Sequence, residues 1–242
     1  MNVFRKWIND QGYGCELCGA ELFDYPTHRL CKDCEEGLLF NDEFWCDKCG
    51  RKTKTSGVCV TCKSHLPKFT KGFSPLVYHG ETSAIVNRMK NGKRRLCLYL
   101  GEKTAETFVS RIPKEEKEFL ILPVPLSKVR LQARGYNQAE LLAETVAERL
   151  KERGYTVTLD SAAIERRSVV RAQKKLDFTE RERNAKSAYH LHKRKLCEGK
   201  TVLLVDDIMT TGATGSACAR LLLGAGAKAV YFLTVAATPE IT

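Results

Sequence analysis

The sequence predicts an α/β protein, a parallel sheet with flanking helices preceded by a small cysteine-rich domain. Three observations carry this. Eight of the 11 cysteines crowd into residues 15–62. Past residue 70, apolar β-forming runs alternate with amphipathic stretches, the order of a parallel sheet with helices packed on it. The formal net charge of +11 is also uneven: residues 1–70 hold 10 Lys+Arg against 10 Asp+Glu, so the excess lies in 71–242. The composition shift divides the chain into 1–70 and 71–242.

The first element is four Cys-x-x-Cys units, Cys15/Cys18, Cys31/Cys34, Cys46/Cys49 and Cys59/Cys62, with 12, 11 and 9 residues between them. Each unit puts two thiolates on one side of a tight turn, as two corners of a tetrahedral zinc site require. Two units complete a four-cysteine site, so four in series predict a double zinc ribbon. Disulfides are the competing reading, disfavoured in a chain whose N-terminus shows no secretory h-region. Sequential pairing needs the shortest loops; an interleaved cross-brace stays open. Gly19 and Gly50 follow the second cysteine of their units, as a knuckle turn favours. A cysteine-bearing segment of roughly 50 residues with so few apolar side chains would scarcely fold without metal, which makes two structural zinc ions part of its stability. Cys97, Cys197 and Cys218 stand alone and read as ordinary thiols.

After residue 70 the strand-like runs are Ser74–Tyr78, Phe119–Val124, Thr156–Leu159, Thr201–Val205 and Ala229–Val235. Helical patterns occupy 82–90, 97–110, 137–152 and 214–224. In 137–152, Leu142, Val146 and Leu150 recur every four residues with charged residues opposite. Residues 165–186 are rich in charge and weak in period, either a surface helix or a mobile functional loop.

The most informative segment is VLLVDDIMTTGAT, residues 202–214. A buried strand ends in Asp206 and Asp207, a loop of hydroxyls and glycine follows, and a helix begins near Thr214. That arrangement points backbone N–H groups and a helix dipole at a phosphate. Gly212 lets the main chain approach, and Thr210, Thr211 and Thr214 add hydroxyls. Two carboxylates at a strand's carboxyl end accept from two neighbouring hydroxyls, so the segment describes a phosphorylated ribose. The plainer reading, a helix N-cap and a turn, leaves two charges beside a buried strand without a purpose.

These 13 residues resemble the 5-phosphoribosyl-1-pyrophosphate (PRPP) motif of the type I phosphoribosyltransferases. ILPVPLSKVRLQARGYNQAELLAE, RAQKKLDFTERERNAKSAY and YHGETSAIVNRMKNGKRR are similar to segments of the ComF family of competence proteins, as is the double zinc ribbon. The resemblance implies a type I phosphoribosyltransferase-like sheet and roles residue by residue. Asp206 and Asp207 would hold the ribose hydroxyls, and Met209, Thr210, Thr211, Gly212, Ala213 and Thr214 the 5′-phosphate. Val124 and Pro125 would open a pyrophosphate loop with Arg134 as its cation. Residues 165–184 would close over the ligand, with Arg181, Arg183 or Lys175 supplying charge. Mg²⁺ would ride on PRPP oxygens. Catalysis, implied for Asp206, Asp207 and Arg134, would displace pyrophosphate from the anomeric carbon through an oxocarbenium-like transition state. No acceptor site is readable.

The family further implies uptake of transforming DNA, in the cytoplasm, beside a helicase-like partner. A basic domain attracts phosphate, on a small ligand or along a nucleic acid, or is simply a solvated surface. Arg88, Lys90, Lys93, Arg94 and Arg95 form one candidate patch for single-stranded DNA, and Arg166 to Lys186 another. Phe40, Phe44, Trp45, Phe69, Phe73 and Tyr136 are candidate stacking residues. The alternative to an enzyme is a non-catalytic PRPP-sensing, single-stranded-DNA-binding protein. No apolar run is long enough to insert in a membrane.

Overall fold

The structure, a computed structural model, describes residues 14–23, 29–112, 115–167 and 188–240. Most of the expected closing segment, with Lys174, Lys175, Arg181 and Arg183, lies outside the described residues. The elements run α1 (Lys32–Glu36), α2 (Val60–Ser64), β1 (Lys71–Phe73), β2 (Leu76–Val77), α3 (Gly80–Lys90), α4 (Leu96–Arg111) and β3 (Glu118–Pro123). There follow α5 (Lys128–Arg134), α6 (Gln138–Glu152), β4 (Thr156–Leu159), β5 (Ile164–Arg166) and β6 (Tyr189–Leu191). β7 (Thr201–Met209), α7 (Ala213–Leu223) and β8 (Ala229–Ala237) complete the chain.

A parallel sheet has the order β1–β8–β7–β3–β4, with β2 continuing the β1 edge along β8. The four helices expected from periodicity are α3, α4, α6 and α7. Three strands differ from expectation, one of them β8, which runs past the expected Val235 to Ala237. The strand expected over Ser74–Tyr78 starts earlier and breaks at Ser74-Pro75, because proline has no N–H to give a ladder. The strand expected to stop at Val205 runs on to Met209, held by pairing with β8 as far as Ala237. α5 and the antiparallel β5–β6 ribbon have no counterpart in the sequence reading.

Alternation along the strands builds two apolar layers. Phe119, Ile121, Leu203 and Val205 face α4 and α6; Leu120, Leu122, Val202 and Leu204 face α7. In the first layer Phe108 meets Phe73 and Phe119 edge to face at 5.2 and 5.3 Å, a favoured aromatic geometry. The cysteine-rich segment joins both layers. Cys15, Leu22, Leu30 and Leu38 belong to the first, and Cys46, Cys49, Cys59 and Cys62 to the second. Two glycines allow its closest approach to the sheet. A Cβ on Gly50 would lie 2.3 Å from the Gly72 carbonyl oxygen, and one on Gly72 would lie 2.3 Å from the Cys49 carbonyl oxygen.

Candidate phosphate crevice and metal centres

β3 pairs with β7 only as far as Pro123 opposite Val205. Beyond that point β7 keeps β8 on one side and loses β3 on the other, so a crevice opens at the carboxyl ends of the strands. Open α/β sheets take ligands in such crevices. Asp206 and Asp207 are the first two residues past the end of that pairing.

The two carboxylates are held differently. Asp207, 7 % exposed, accepts from Gln138 Nε2 at 2.6 Å and pairs with Lys90 Nζ at 3.2 Å. Asp206 Oδ1 accepts the Asp207 backbone N–H at 2.8 Å. Burial and the like charge of Asp207 push Asp206 up to about 8, against the pull of Lys90 and Arg166.

After Met209 the chain turns through Thr210 and Thr211 into Gly212, whose φ of +76° places it in the left-handed region. Glycine enters that region without strain. The turn starts α7, so Ala213 and Thr214 lie in the first turn of an 11-residue helix, the end that favours anions. Thr210 and Thr211 are exposed. Thr211 Oγ1 accepts the Ala213 N–H at 3.3 Å, so that hydroxyl already shapes the turn.

Across the crevice, Val124 donates its N–H to the Val205 carbonyl at 2.8 Å, and its own carbonyl accepts from Asn137 Nδ2 at 3.2 Å. Pro125 leads into α5, where Arg134 occupies the last turn. Residues 134–138 then divide the work. Gly135 caps α5 at φ +75°. Tyr136 donates to the Met89 carbonyl, accepts the Gly92 N–H at 3.1 Å and lies under Arg94 at 4.3 Å. Asn137 caps α6 by accepting the Ala139 N–H at 3.1 Å. Gln138 accepts from Arg134 Nη1 at 3.0 Å while donating to Asp207. The crevice thus carries a continuous chain from Arg134 through Gln138 and Asp207 to Lys90. The sequence reading gives Gln138 no role, although an Asn-Gln pair opening an amphipathic helix signals a cap, and it assigns Lys90 to a nucleic-acid patch rather than to Asp207.

The expected nucleic-acid features fare differently. Arg88 donates to the Leu17 carbonyl at 2.7 Å, Arg95 pairs with Glu16 at 3.0 Å, Arg94 covers Tyr136 and Lys90 holds Asp207. Four of the five cations of that turn therefore have partners within the protein, while Arg88 and Lys93 stay exposed. Among the stacking candidates, Phe69, Phe73 and Tyr136 are buried. Phe69 packs on Phe232 at 5.3 Å, and Phe73 belongs to the core aromatics. Trp45 is covered by Arg111 at 3.6 Å, and Phe44 is the most exposed of the six.

The eight cysteines form two clusters, Cys15, Cys18, Cys31 and Cys34, and Cys46, Cys49, Cys59 and Cys62, each with its sulfurs within 4.8 Å of one another. Pairing is therefore sequential. Cys18 and Cys31 sulfurs are 3.6 Å apart, and Cys49 and Cys59 sulfurs 3.8 Å. A zinc tetrahedron with Zn–S near 2.3 Å has edges of about 3.8 Å, so the donor sets fit zinc. Backbone N–H groups point at sulfur, Cys31 to Cys15 and Cys59 to Cys46, both at 3.3 Å. Gly19 and Gly50 take φ of +83° and +72°. The three remaining cysteines are buried.

The phosphoribosyl transferase domain family matches residues 137–242. The competence protein ComFC of Streptococcus pneumoniae is 31 % identical over 240 residues, covering 89 % of this chain and 96 % of that protein. The chain belongs to the ComF family of competence proteins. Another ComF relative, ComFC of Bacillus subtilis, is 28 % identical over 84 % of this chain and 82 % of its own. The DNA utilization protein YhgH of Escherichia coli K12 is 28 % identical over 89 % and 93 %. No helix among the described residues is long and apolar enough to cross a membrane.

Proposed function

We propose that the crevice of this ComF protein binds PRPP. Asp206 and Asp207 accept hydrogen bonds from the two ribose hydroxyls. The backbone from Met209 to Thr214, with the α7 dipole behind it, receives the 5′-phosphate. Arg134, held beside Asp207 by Gln138, faces the pyrophosphate with the Val124-Pro125 turn. Mg²⁺ enters with the ligand, on phosphate oxygens, because it keeps its waters and leans on substrate phosphates. The observation that carries the reading is the carboxylate pair just past the β3–β7 pairing, with Asp207 five residues before the Gly212 that leads the α7 N-terminus.

Cleavage of the bond from the anomeric carbon to pyrophosphate would leave positive charge on the ribose ring and negative charge on the leaving group. Arg134 and the ligand's Mg²⁺ oppose the second, and the Asp206 carboxylate, where ionised, the first. Titration of PRPP with Mg²⁺, alongside a pyrophosphate-release assay, separates substrate from sensed ligand. Binding with release makes the protein a transferase; binding without release makes it a PRPP sensor. Absence of binding overturns the reading.

The second reading is single-stranded DNA binding, in keeping with relatives named for competence and DNA utilization. The excess of 11 positive charges in 71–242 supports it. DNA affinity that falls steeply between about 50 and 200 mM salt is the expected signature; a flat salt response contradicts it. The ComF family role in uptake of transforming DNA, beside a helicase-like partner in the cytoplasm, belongs to this reading.

A further inference from the structure

Arg51 lies two residues after Cys49, within the span of the second thiol cluster, and is 3 % exposed. Its Nε donates to Cys49 Sγ at 3.3 Å and its Nη2 to the Thr210 carbonyl at 2.6 Å. Among the described residues it has no carboxylate partner. A guanidinium removed from water is costly unless a counter-charge accompanies it. The thiol cluster supplies that charge once metal is bound, because four thiolates around a divalent cation carry a net charge of minus two.

Thr210 opens the loop before α7. Its carbonyl is held from two sides, by Arg51 and by Thr238 Oγ1 at 3.3 Å. The far side of the loop rests on the same layer: a Cβ on Gly212 would lie 3.6 Å from Phe69, which packs with the four cysteines. The link between cluster and loop is therefore two hydrogen bonds through one side chain, braced by shared packing.

We infer that Arg51 is a positioning residue for the phosphate loop, so that metal in the second four-cysteine cluster and PRPP in the crevice each favour the other. This rests on the reading of the crevice as a PRPP site. Coupling between two sites is reciprocal. Loss of the second metal removes the anion that anchors Arg51 and frees the Thr210 carbonyl; a filled loop holds Arg51 against Cys49 and slows metal loss. The first cluster has no such side chain reaching the loop among the described residues, so its metal is indifferent to the ligand.

The test follows zinc release from the zinc-loaded full chain to a zinc-selective dye, with and without saturating PRPP and Mg²⁺. PRPP is expected to slow one of the two zinc ions by about tenfold, within the usual range of coupling, and leave the other unchanged. The Cys18→Ser variant, disabled at the first cluster, should retain the slowed phase. In Arg51→Met the protection should vanish and PRPP affinity should fall by about tenfold. Arg51→Lys keeps the charge but cannot reach both partners, and should retain zinc while binding PRPP weakly.

Equal slowing of both zinc ions would mean only general stabilisation by a ligand, and overturns the coupling. So does unchanged release in wild type that binds PRPP, which leaves the crevice reading intact. Failure of wild type to bind PRPP overturns the crevice reading first, and the coupling with it.

Discussion

Gln138 donates to Asp207 at 2.6 Å through one end of its amide and accepts from Arg134 through the other. A single amide thus fixes both a crevice carboxylate and the cation opposite it. A carboxylate cannot do this, since it has no donor for Asp207, and an aliphatic side chain can do neither. Gln138→Leu is expected to weaken PRPP binding roughly tenfold or more, given about 1.5–3 kcal/mol for a hydrogen bond to a charged group. Gln138→Glu should be worse, because it sets a third negative charge against Asp207. Calorimetric titration checks both; full affinity in Gln138→Leu contradicts the bridging role.

Asp206, pushed up to about 8, makes a pH prediction with a definite sign. Between pH 4 and 8 the folded protein holds a proton that the unfolded chain has released, so stability falls as pH rises through that window. Asp206→Asn should flatten part of the fall. Glu144, pushed up to about 7 by burial and by Glu140 and Glu148, contributes in the same direction. Ligand affinity should move the other way, rising from pH 7 to 9 as Asp206 becomes a full acceptor, and rising less in Asp206→Asn. Thermal melts and titrations at several pH values measure both trends. Because zinc binding to the thiols itself strengthens with pH, the assignment is read from the difference between wild type and Asp206→Asn, and a difference that does not change from pH 5 to 8 contradicts it.

α7 carries the phosphate loop, and Gly215 sets its height above the sheet. A Cβ there would lie 2.6 Å from Phe232 Cδ1, so Gly215→Ala must lift the helix or displace a buried ring. Overpacking of this kind costs about 1–3 kcal/mol. The variant should melt several degrees lower and bind PRPP more weakly, because the loop moves with the helix. A variant with unchanged melting and affinity would show the helix free to shift.

Each thiol cluster packs into one of the two apolar layers. Metal removal should therefore unsettle both faces of the sheet as well as the cysteine-rich segment. Structural zinc contributes on the order of 10 kcal/mol in small domains, comparable with the whole stability of a typical protein. Metal analysis should find two zinc ions per chain, and chelation should lower the melting temperature and expose buried thiols to a thiol reagent. Metal-free protein that melts as the native one does speaks against a structural role.

Some of this was legible in the residues and some was not, for physical reasons. The cysteine spacing specifies two sites, because a Cys-x-x-Cys turn can make only half of a tetrahedron. Strand-helix alternation and the VLLVDDIMTTGAT segment specify the sheet and its crevice, because local period and a glycine in the left-handed region act within a few residues. Other features depend on what lies across the fold. β7 outruns its apolar run because β8 pairs with it to Ala237. Lys90 and Arg94 read as free charge until Asp207 and Tyr136 are seen beneath them. Phe69 and Phe73 read as available aromatics until β8 covers them. Arg51 meets Thr210 across 159 residues of chain, a contact no local pattern encodes.

The central claim is that the carboxylates past the β3–β7 pairing hold a phosphorylated ribose, and the direct test is calorimetric titration of PRPP with Mg²⁺ into wild type, Asp206→Ala and Asp207→Ala. Wild type should bind, and both variants should lose binding while keeping two zinc ions and the wild-type circular dichroism. Undiminished affinity in both variants would contradict the account.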